Sequence, residues 1–171
     1  MDSKDIVLID DRALDDIKEF LIERNETLAI AESVTGGILQ TAFASVTDAS
    51  LFFQGGITAY NLGQKSRHLH VNPIHAESCN CVSDTVAMEM AVGVCSLFSS
   101  HWGIAVTGYA TMDPEIKMDR PFAHFAIAYM GKVKKTSCLK HPETNPQLIQ
   151  YFYVNEIVKA LLNIFRDNPS S

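Results

Sequence analysis

The alternation of apolar and polar positions predicts that helices and strands follow one another along most of the chain. Residues 12–24 place Leu14, Ile17 and Leu21 at helical spacing, with acidic residues on the opposite face. The stretch 27–31 is short, continuously apolar apart from its first residue, and typical of a buried strand. The same patterns predict helices at 38–45, 61–70, 84–99 and 147–166, and strands at 52–60, 103–107, 122–130 and 132–140.

Local signals support several of these elements. Asp10 or Asp11 is placed to cap the first helix, and Ser83 to cap the long helix at 84–99. The glycine pair inside the strand 52–60 indicates a bulge or a close backbone approach. Gly131 separates the last two strands, which predicts a hairpin.

The order of elements predicts the fold class. Strands separated by helices are expected to run parallel, and the final hairpin adds antiparallel strands, so the sheet is expected to be mixed. We therefore predict an α/β fold, a three-layer α/β/α sandwich, formed as a single domain over residues 1–171. The segment 168–171 is expected to be a frayed tail.

Composition and charge narrow the classes of function. The chain is 47% hydrophobic and 20% charged, as in ordinary globular proteins, and its formal net charge of -6 argues against a broad nucleic-acid surface. The densest basic stretch is expected to be a solvated strand edge and comprises Lys132, Lys134 and Lys135. No apolar run reaches the roughly 18 residues of a membrane span, and the acidic N-terminus is unlike a signal peptide. We expect a cytoplasmic protein with neither nucleic acid nor membrane as a partner.

The four cysteines do not have the spacing of a zinc site. Cys79 and Cys81 are separated by one residue, and Cys95 and Cys138 lie far apart in the sequence. Reduced or buried thiols are the better interpretation, and no metal site is predicted.

The first candidate for chemistry is the segment from Ser33 to Gly37. Here a strand ends, hydroxyl residues stand at Ser33 and Thr35, and Gly36 and Gly37 precede a helix. Free amide N–H groups at a helix start and close backbone approach suit an anion such as a nucleotide phosphate. The alternative is that Ser33 or Thr35 simply caps the helix. The pattern by itself favours the cap.

Two further candidates follow along the chain. Tyr60 and Asn61 precede Lys65, which lies about one helical turn past Tyr60; a lysine can activate a serine only when burial or a neighbouring cation lowers its pKa. Thr107 and Gly108 lie at the carboxyl end of a buried strand, where open α/β sheets place ligands. The alternative for Lys65 is an exposed helix lysine, and the alternative for Thr107 and Gly108 is an ordinary turn at the end of a strand.

Taken together and in order, these segments resemble a known family. The run AESVTGG at 31–37 resembles the A-E-S-x-T-G-G signature of CinA C-terminal domains, and GGITAYN at 55–61 with Lys65 is similar to that family's second block. The segments 82–83 with 88–91, and 105–108, resemble the third and fourth blocks. The resemblance extends from about Leu14 to Gly108.

The resemblance implies the family's fold and a nicotinamide-nucleotide amidohydrolase, which converts nicotinamide mononucleotide (NMN) and water to nicotinate mononucleotide and ammonia. It makes Ser33 the nucleophile, Lys65 its general base or electrostatic activator, and Tyr60 part of the proton path. Contacts to the substrate or its oxyanion are implied for Thr35, Gly36, Gly37, Asn61, Thr107 and Gly108. It implies no cofactor, an NMN-like small-molecule partner and a homo-oligomer.

The sequence departs from the family's pattern after Gly108. The family continues with a glycine-rich loop, whereas this chain has Thr111, Met112 and Asp113, and no arginine stands in 141–147 where the family usually carries one. Arg120 is a candidate substitute. The alternative function is therefore a weak or catalytically silent homologue that binds a nucleotide or has a structural role.

Overall fold

The computed structural model describes residues 9–142 and 145–167. The helices are α1 (Asp11–Glu23), α2 (Ile38–Ala44), α3 (Leu62–Leu69), α4 (Pro73–Ser78), α5 (Asp84–Phe98) and α6 (Pro146–Asp167). The strands are β1 (Leu28–Glu32), β2 (Phe53–Thr58), β3 (Trp102–Gly108), β4 (Phe122–Tyr129) and β5 (Lys132–Lys140). Every predicted helix and strand is confirmed to within two residues at each end, while the predicted tail at 168–171 lies outside the described residues.

Helix α4 and a short 3-10 turn at Ala49–Leu51 are the elements that the sequence pattern missed. Helix α3 ends at Leu69 with a left-handed cap at His70, and the pair Asn72-Pro73 begins α4. The Asn72 side chain accepts hydrogen bonds from the amides of Ile74 and His75. Pro73 occupies the first helical position, where its missing N–H costs nothing.

The five strands form one sheet in the order β2-β1-β3-β4-β5. The pairs β1–β2 and β1–β3 are parallel, whereas β3–β4 and β4–β5 are antiparallel. The mixed sheet confirms the predicted α/β fold. At its edge, β5 exposes Lys132, Lys134 and Lys135 to solvent, which confirms the predicted basic strand edge.

Side-chain size differs between the two faces of the sheet. Large residues such as Ile30, Ile104 and Ile127 pack with α1, α2 and α6. The other face carries mostly alanine and packs against α3 and α5, with Ala29, Ala31, Ala105, Ala126 and Ala128. The strands alternate large and small residues, so each face of the sheet packs against its own set of helices. The sheet and the two helix layers form the predicted three-layer sandwich.

Small residues let α5 approach the sheet closely. A Cβ at Gly103 would lie 2.3 Å from the Ala91 carbonyl oxygen on α5. We expect Gly103→Ala to lower the free energy of unfolding by about 1–3 kcal/mol, because the helix has to move away from the strand. The matched control is Gly63→Ala in α3, where the nearest atom would be 3.5 Å away and alanine favours the helix by up to about 1 kcal/mol. Urea unfolding measures both; equal effects of the two substitutions would contradict this packing.

The glycine pair in β2 has both of its predicted features. Gly55 has a φ of 120°, and the pairing with β1 shifts register between Leu28 and Ala29. At Gly56 a Cβ would lie 2.6 Å from the Ile30 carbonyl oxygen. The predicted bulge and close approach are confirmed.

The topology creates a crevice at the carboxyl ends of β1 and β3. From β1 the chain crosses to β2 through α2 on one face, and it returns to β3 through α3, α4 and α5 on the other face. Adjacent strands whose connections leave in opposite directions form the usual ligand crevice of open α/β sheets. In the described ranges, no helix is long and apolar enough to cross a membrane.

Candidate active site

A serine and a lysine meet in the crevice. Ser33 directly follows β1 and is 7% exposed, whereas Lys65 lies on α3 and is 1% exposed. The Lys65 Nζ lies 2.9 Å from the Ser33 Oγ and donates to the Ala59 carbonyl oxygen at 2.7 Å. Two of the three residues predicted as catalytic are thus in direct contact, although 32 positions separate them.

Burial changes the acid–base properties of Lys65. Desolvation lowers the pKa of its ammonium group, and the neighbouring Cys81 thiol opposes this only in part. No carboxylate of the described residues lies within ion-pair distance of Nζ. A lysine in this setting reaches its neutral form at a lower pH than an exposed one, so it can accept the proton of Ser33.

Glu32 caps α2, and neither of the two hydroxyl residues does. Its carboxylate, which is fully buried, accepts hydrogen bonds from the amides of Gly37, Leu39 and Gln40 at 2.7–3.1 Å, and from the Gln40 side chain at 3.0 Å. The prediction that Ser33 or Thr35 caps this helix was wrong, because an acidic side chain reaches further and satisfies several amides at once. The positive end of the helix is therefore already neutralised by the protein itself.

The two glycines before α2 have their amides occupied. The Gly36 N–H donates to the Ser33 carbonyl oxygen at 3.1 Å and the Gly37 N–H to Glu32. Both residues have a positive φ, 60° and 106°, which glycine adopts at little cost. Within the described ranges, the amides of Val34 and Thr35 have no such acceptor. Of these two residues, Val34 lies at the crevice beside Ser33, whereas Thr35 is fully buried.

Thr35 is placed differently from its predicted role. Its side chain is fully buried and its hydroxyl has no hydrogen-bond partner in the described structure. Because an unpaired buried hydroxyl is unfavourable, we expect Thr35→Val to leave stability unchanged or raise it by about 1 kcal/mol. KM and kcat are expected to stay within about twofold of the wild type. A large rise in KM would show instead that the hydroxyl binds substrate; thermal unfolding and steady-state kinetics distinguish the two.

Thr107 and Gly108 lie at the end of β3 beside Ser33. The buried Thr107 hydroxyl donates to the Cys81 carbonyl oxygen at 2.8 Å, which fixes the chain between α4 and α5 over the sheet. Gly108 is required by packing, since a Cβ there would lie 2.4 Å from the Phe122 carbonyl oxygen. Both residues line the crevice. The hydrogen bond of Thr107 holds Cys81, another residue of the crevice wall, in place.

The crevice is a cavity of about 350 Å³. Its lining comprises Ser33, Val34, Tyr60, Asn61, Leu62, Lys65, Asn80, Cys81, Val82, Thr107, Gly108 and Tyr109. Tyr60 is 73% exposed, which places it at the rim. The Asn61 side-chain oxygen Oδ1 caps α3 by accepting from the Gln64 backbone amide at 3.0 Å. Of the residues predicted to form the site, Thr35, Gly36 and Gly37 lie outside this lining.

Six residues of the cavity wall are absent from the predicted site: Val34, Leu62, Asn80, Cys81, Val82 and Tyr109. Asn80 and Cys81 adopt left-handed backbone conformations, with φ of 49° and 61°. Such conformations are uncommon for residues other than glycine, so the sequence did not indicate a turn here. The Asn80 amide donates to the Tyr109 hydroxyl at 3.0 Å, so the α4–α5 connection is joined to the end of β3 across the cavity. Glu32, which lies behind the wall, stands in the signature segment, but the pattern does not reveal its capping role.

The loop after Gly108 supplies no arginine to the cavity. The exposed Arg120 donates to the Asp119 carboxylate at 2.9 Å and does not belong to the lining. In the segment 141–147, residues 143 and 144 lie outside the described structure, and the sequence contains no arginine there.

Known proteins share sequence with this chain. The family described as CinA C-terminal domain matches residues 10–165. A CinA-like protein of Nostoc sp. is 38% identical over 125 residues, which are 73% of this chain and 29% of the relative. A CinA-like protein of Picosynechococcus sp. is 46% identical over 94 residues, which are 55% of this chain and 22% of the relative. The chain thus spans less than a third of the length of these relatives.

Solved structures show the same fold. The competence damage-inducible protein A of Klebsiella pneumoniae superposes with a TM-score of 0.81 at 26% identity, covering 90% of this chain and 94% of that one. A CinA superfamily protein of Escherichia coli gives a TM-score of 0.80 at 26% identity, with 96% and 99% covered. From the family match over residues 10–165 and the similarity of fold, we conclude that this chain belongs to the CinA C-terminal domain family.

Proposed function

We propose that this chain is an amidohydrolase of the nicotinamide-nucleotide type, with Ser33 as nucleophile and Lys65 as general base. The observation that carries the proposal is the 2.9 Å contact between the Lys65 Nζ and the Ser33 Oγ at the floor of a cavity. A serine paired with a lysine is sufficient for acyl transfer from an amide. The family resemblance supplies the carboxamide of NMN as the first substrate to test.

The first half of the reaction forms an acyl-enzyme. Neutral Lys65 takes the proton of Ser33 while Oγ attacks the carboxamide carbon, and the resulting oxyanion accepts a hydrogen bond from the amide of Val34, which lines the cavity. The C–N bond then breaks, and Lys65 returns the proton to the leaving nitrogen, which departs as ammonia. Ser33 is left esterified with the acyl part of the substrate.

The second half repeats the proton transfers with water. Lys65 takes a proton from a water molecule as its oxygen attacks the ester carbon, and it delivers that proton to the Ser33 Oγ when the ester bond breaks. The products are the carboxylic acid and the free enzyme. The Ala59 carbonyl oxygen, 2.7 Å from Nζ, fixes the amine in both halves. We assign Tyr60, which lies at the rim of the cavity, a contact with the substrate or with a water molecule in the proton path.

The direct test is to incubate the purified protein with NMN and to measure ammonia and nicotinate mononucleotide. Equal amounts of both products, at a rate proportional to enzyme concentration, are expected. Absence of both at high enzyme concentration would overturn the proposed function.

A second candidate is a homologue that binds a nucleotide without turning it over. It is favoured by the cavity lining, which in the described structure contains no arginine. Thermal unfolding with NMN, nicotinate mononucleotide and ADP-ribose separates the candidates. A ligand-induced rise in melting temperature without ammonia release would support the second.

A further inference from the structure

The residue after β2 connects that strand to the Ser33–Lys65 pair. The Ala59 N–H donates to the Glu32 carbonyl oxygen at 2.8 Å, and the Ala59 carbonyl oxygen accepts from the Lys65 Nζ at 2.7 Å. The same Nζ lies 2.9 Å from the Ser33 Oγ, and Ser33 directly follows Glu32 in the chain. These contacts form a closed ring, so a shift of Ala59 relative to β1 would change the distance between Ser33 and Lys65.

A side chain on α2 joins the ends of the same two strands. The Gln40 amide nitrogen Nε2 donates to the Glu32 Oε1 at 3.0 Å and to the Thr58 Oγ1 at 3.2 Å. Thr58 is the last residue of β2, pairs with Glu32 in the sheet and directly precedes Ala59. Gln40 therefore links β1 to β2 at the point where the ring of contacts begins. Among the described residues, the cavity lining includes neither Gln40 nor Thr58.

The fold leaves a defined space for the Gln40 side chain. A Cβ at Gly56 would lie 2.7 Å from the Gln40 Cγ and Cδ, so this side chain packs directly on the backbone of β2. Its acceptor is fixed as well, because the fully buried Glu32 carboxylate also accepts from the amides of Gly37, Leu39 and Gln40 itself. Hydrogen bonds to a carboxylate are stronger than those between neutral groups, which makes the link between Gln40 and Glu32 a firm one.

We propose that Gln40 is a positioning residue for the Ser33–Lys65 pair. By joining β1 to the end of β2 it holds Ala59 in place, and the Ala59 carbonyl oxygen then aligns the Lys65 amine. Gln40 contacts no reacting atom and acts through this chain of bonds. A displacement of about 1 Å at a reacting group lowers the rate by up to about 10²-fold. For turnover this inference rests on the proposed function; for the reactivity of the Ser33 hydroxyl it does not.

Two substitutions remove the link from its two ends. Gln40→Met keeps the length of the side chain and removes both bonds of its amide group, whereas Thr58→Val, at an exposed position, removes the acceptor on β2. We expect kcat for carboxamide hydrolysis to fall by about tenfold to 10²-fold in Gln40→Met and by about threefold to tenfold in Thr58→Val. KM is expected to stay within about twofold, because neither residue lines the cavity. A changed KM with an unchanged kcat would overturn the inference.

The double variant distinguishes positioning from a general loss of stability. If Gln40 and Thr58 act through their shared hydrogen bond, the double variant is expected to keep the kcat of Gln40→Met alone, whereas independent effects would multiply. The matched control is Thr41→Val, at another exposed position of α2, which removes a bond to the Gly37 carbonyl oxygen. It is expected to leave kcat within about twofold of the wild type. Multiplying effects, or a control that loses as much as Gln40→Met, would contradict the role of Gln40.

A serine-reactive probe separates this inference from the proposed function. An alkyl fluorophosphonate forms an ester with the Oγ of an activated serine and releases fluoride, and peptide mass spectrometry locates the label. Labelling of Ser33 is expected to be at least about tenfold slower in Gln40→Met than in the wild type. Slower labelling in a protein that releases no ammonia from NMN would support the inference and overturn the amidohydrolase. Equal labelling rates, including no labelling of either protein, would overturn the inference.

Discussion

Replacing Ser33 by alanine is expected to lower kcat/KM for carboxamide hydrolysis by roughly 10³-fold or more, because the acyl-enzyme no longer forms. The Ser33 hydroxyl is almost entirely buried and bonds Lys65. Its loss removes one hydrogen bond, so a change in the free energy of unfolding of only about 1 kcal/mol is expected. Ammonia release and urea unfolding measure the two effects.

The matched control for this variant is Ser100→Ala. Ser100 is buried to a similar extent, at 8% exposure, but it lies near the opposite end of β3, where its hydroxyl donates to the Trp102 carbonyl oxygen at 2.9 Å. This variant is expected to lose a similar amount of stability and to keep its activity. If both variants lost activity to the same extent, the effect of Ser33→Ala would have to be assigned to packing.

Replacing Lys65 by methionine is expected to lower kcat by roughly 10³-fold, because a thioether cannot take the Ser33 proton. The wild-type kcat/KM is expected to rise with pH through the lowered pKa of Lys65, and this limb is expected to disappear in the variant. Lys65→Arg keeps a cation but cannot act as a base near neutral pH, so it is expected to remain inactive. An unchanged pH profile in Lys65→Met would contradict the assignment of Lys65 as base. The control is Lys159→Met, which replaces an exposed lysine paired with Glu156.

The same residue links stability to pH. Burial lowers the pKa of Lys65 in the folded state below its value of 10.5 in the unfolded chain. Between these two pKa values the unfolded state binds more protons, so stability is expected to rise as pH increases through this window. Lys65→Met is expected to abolish the contribution of Lys65 to this rise and to be as stable as the wild type or more so at neutral pH. Unfolding at a series of pH values measures the difference.

Periodicity was sufficient for the fold because local pattern and tertiary structure agree in this chain. Strands such as β1 and β3 alternate large and small residues, and each alternation matches a helix layer on the corresponding face. Helix α4 was missed because a proline is usually a helix-ending signal, whereas Pro73 occupies the first position of this helix, and because a six-residue helix carries little periodicity of its own.

The contact between Ser33 and Lys65 follows from topology more than from spacing. The residues lie on different elements, and the motif resemblance indicated both without showing their distance. The residue that caps α2 was not predictable in the same way. The long Glu32 side chain competes with the short hydroxyl side chains for the same backbone amides. The wall formed by Asn80, Cys81 and Tyr109 depends on left-handed backbone conformations, for which the sequence gives no glycine signal.

The central claim is that Ser33 becomes acylated with the help of Lys65. The most direct test mixes the purified protein with an activated aryl ester of nicotinic acid, quenches in acid within the first turnover and maps the acyl group by peptide mass spectrometry. The account predicts one acyl group per chain on Ser33 in the wild type, formed far more slowly in Lys65→Met. An acyl group on another residue, or an unmodified Ser33 in a preparation that releases ammonia from NMN, would contradict it.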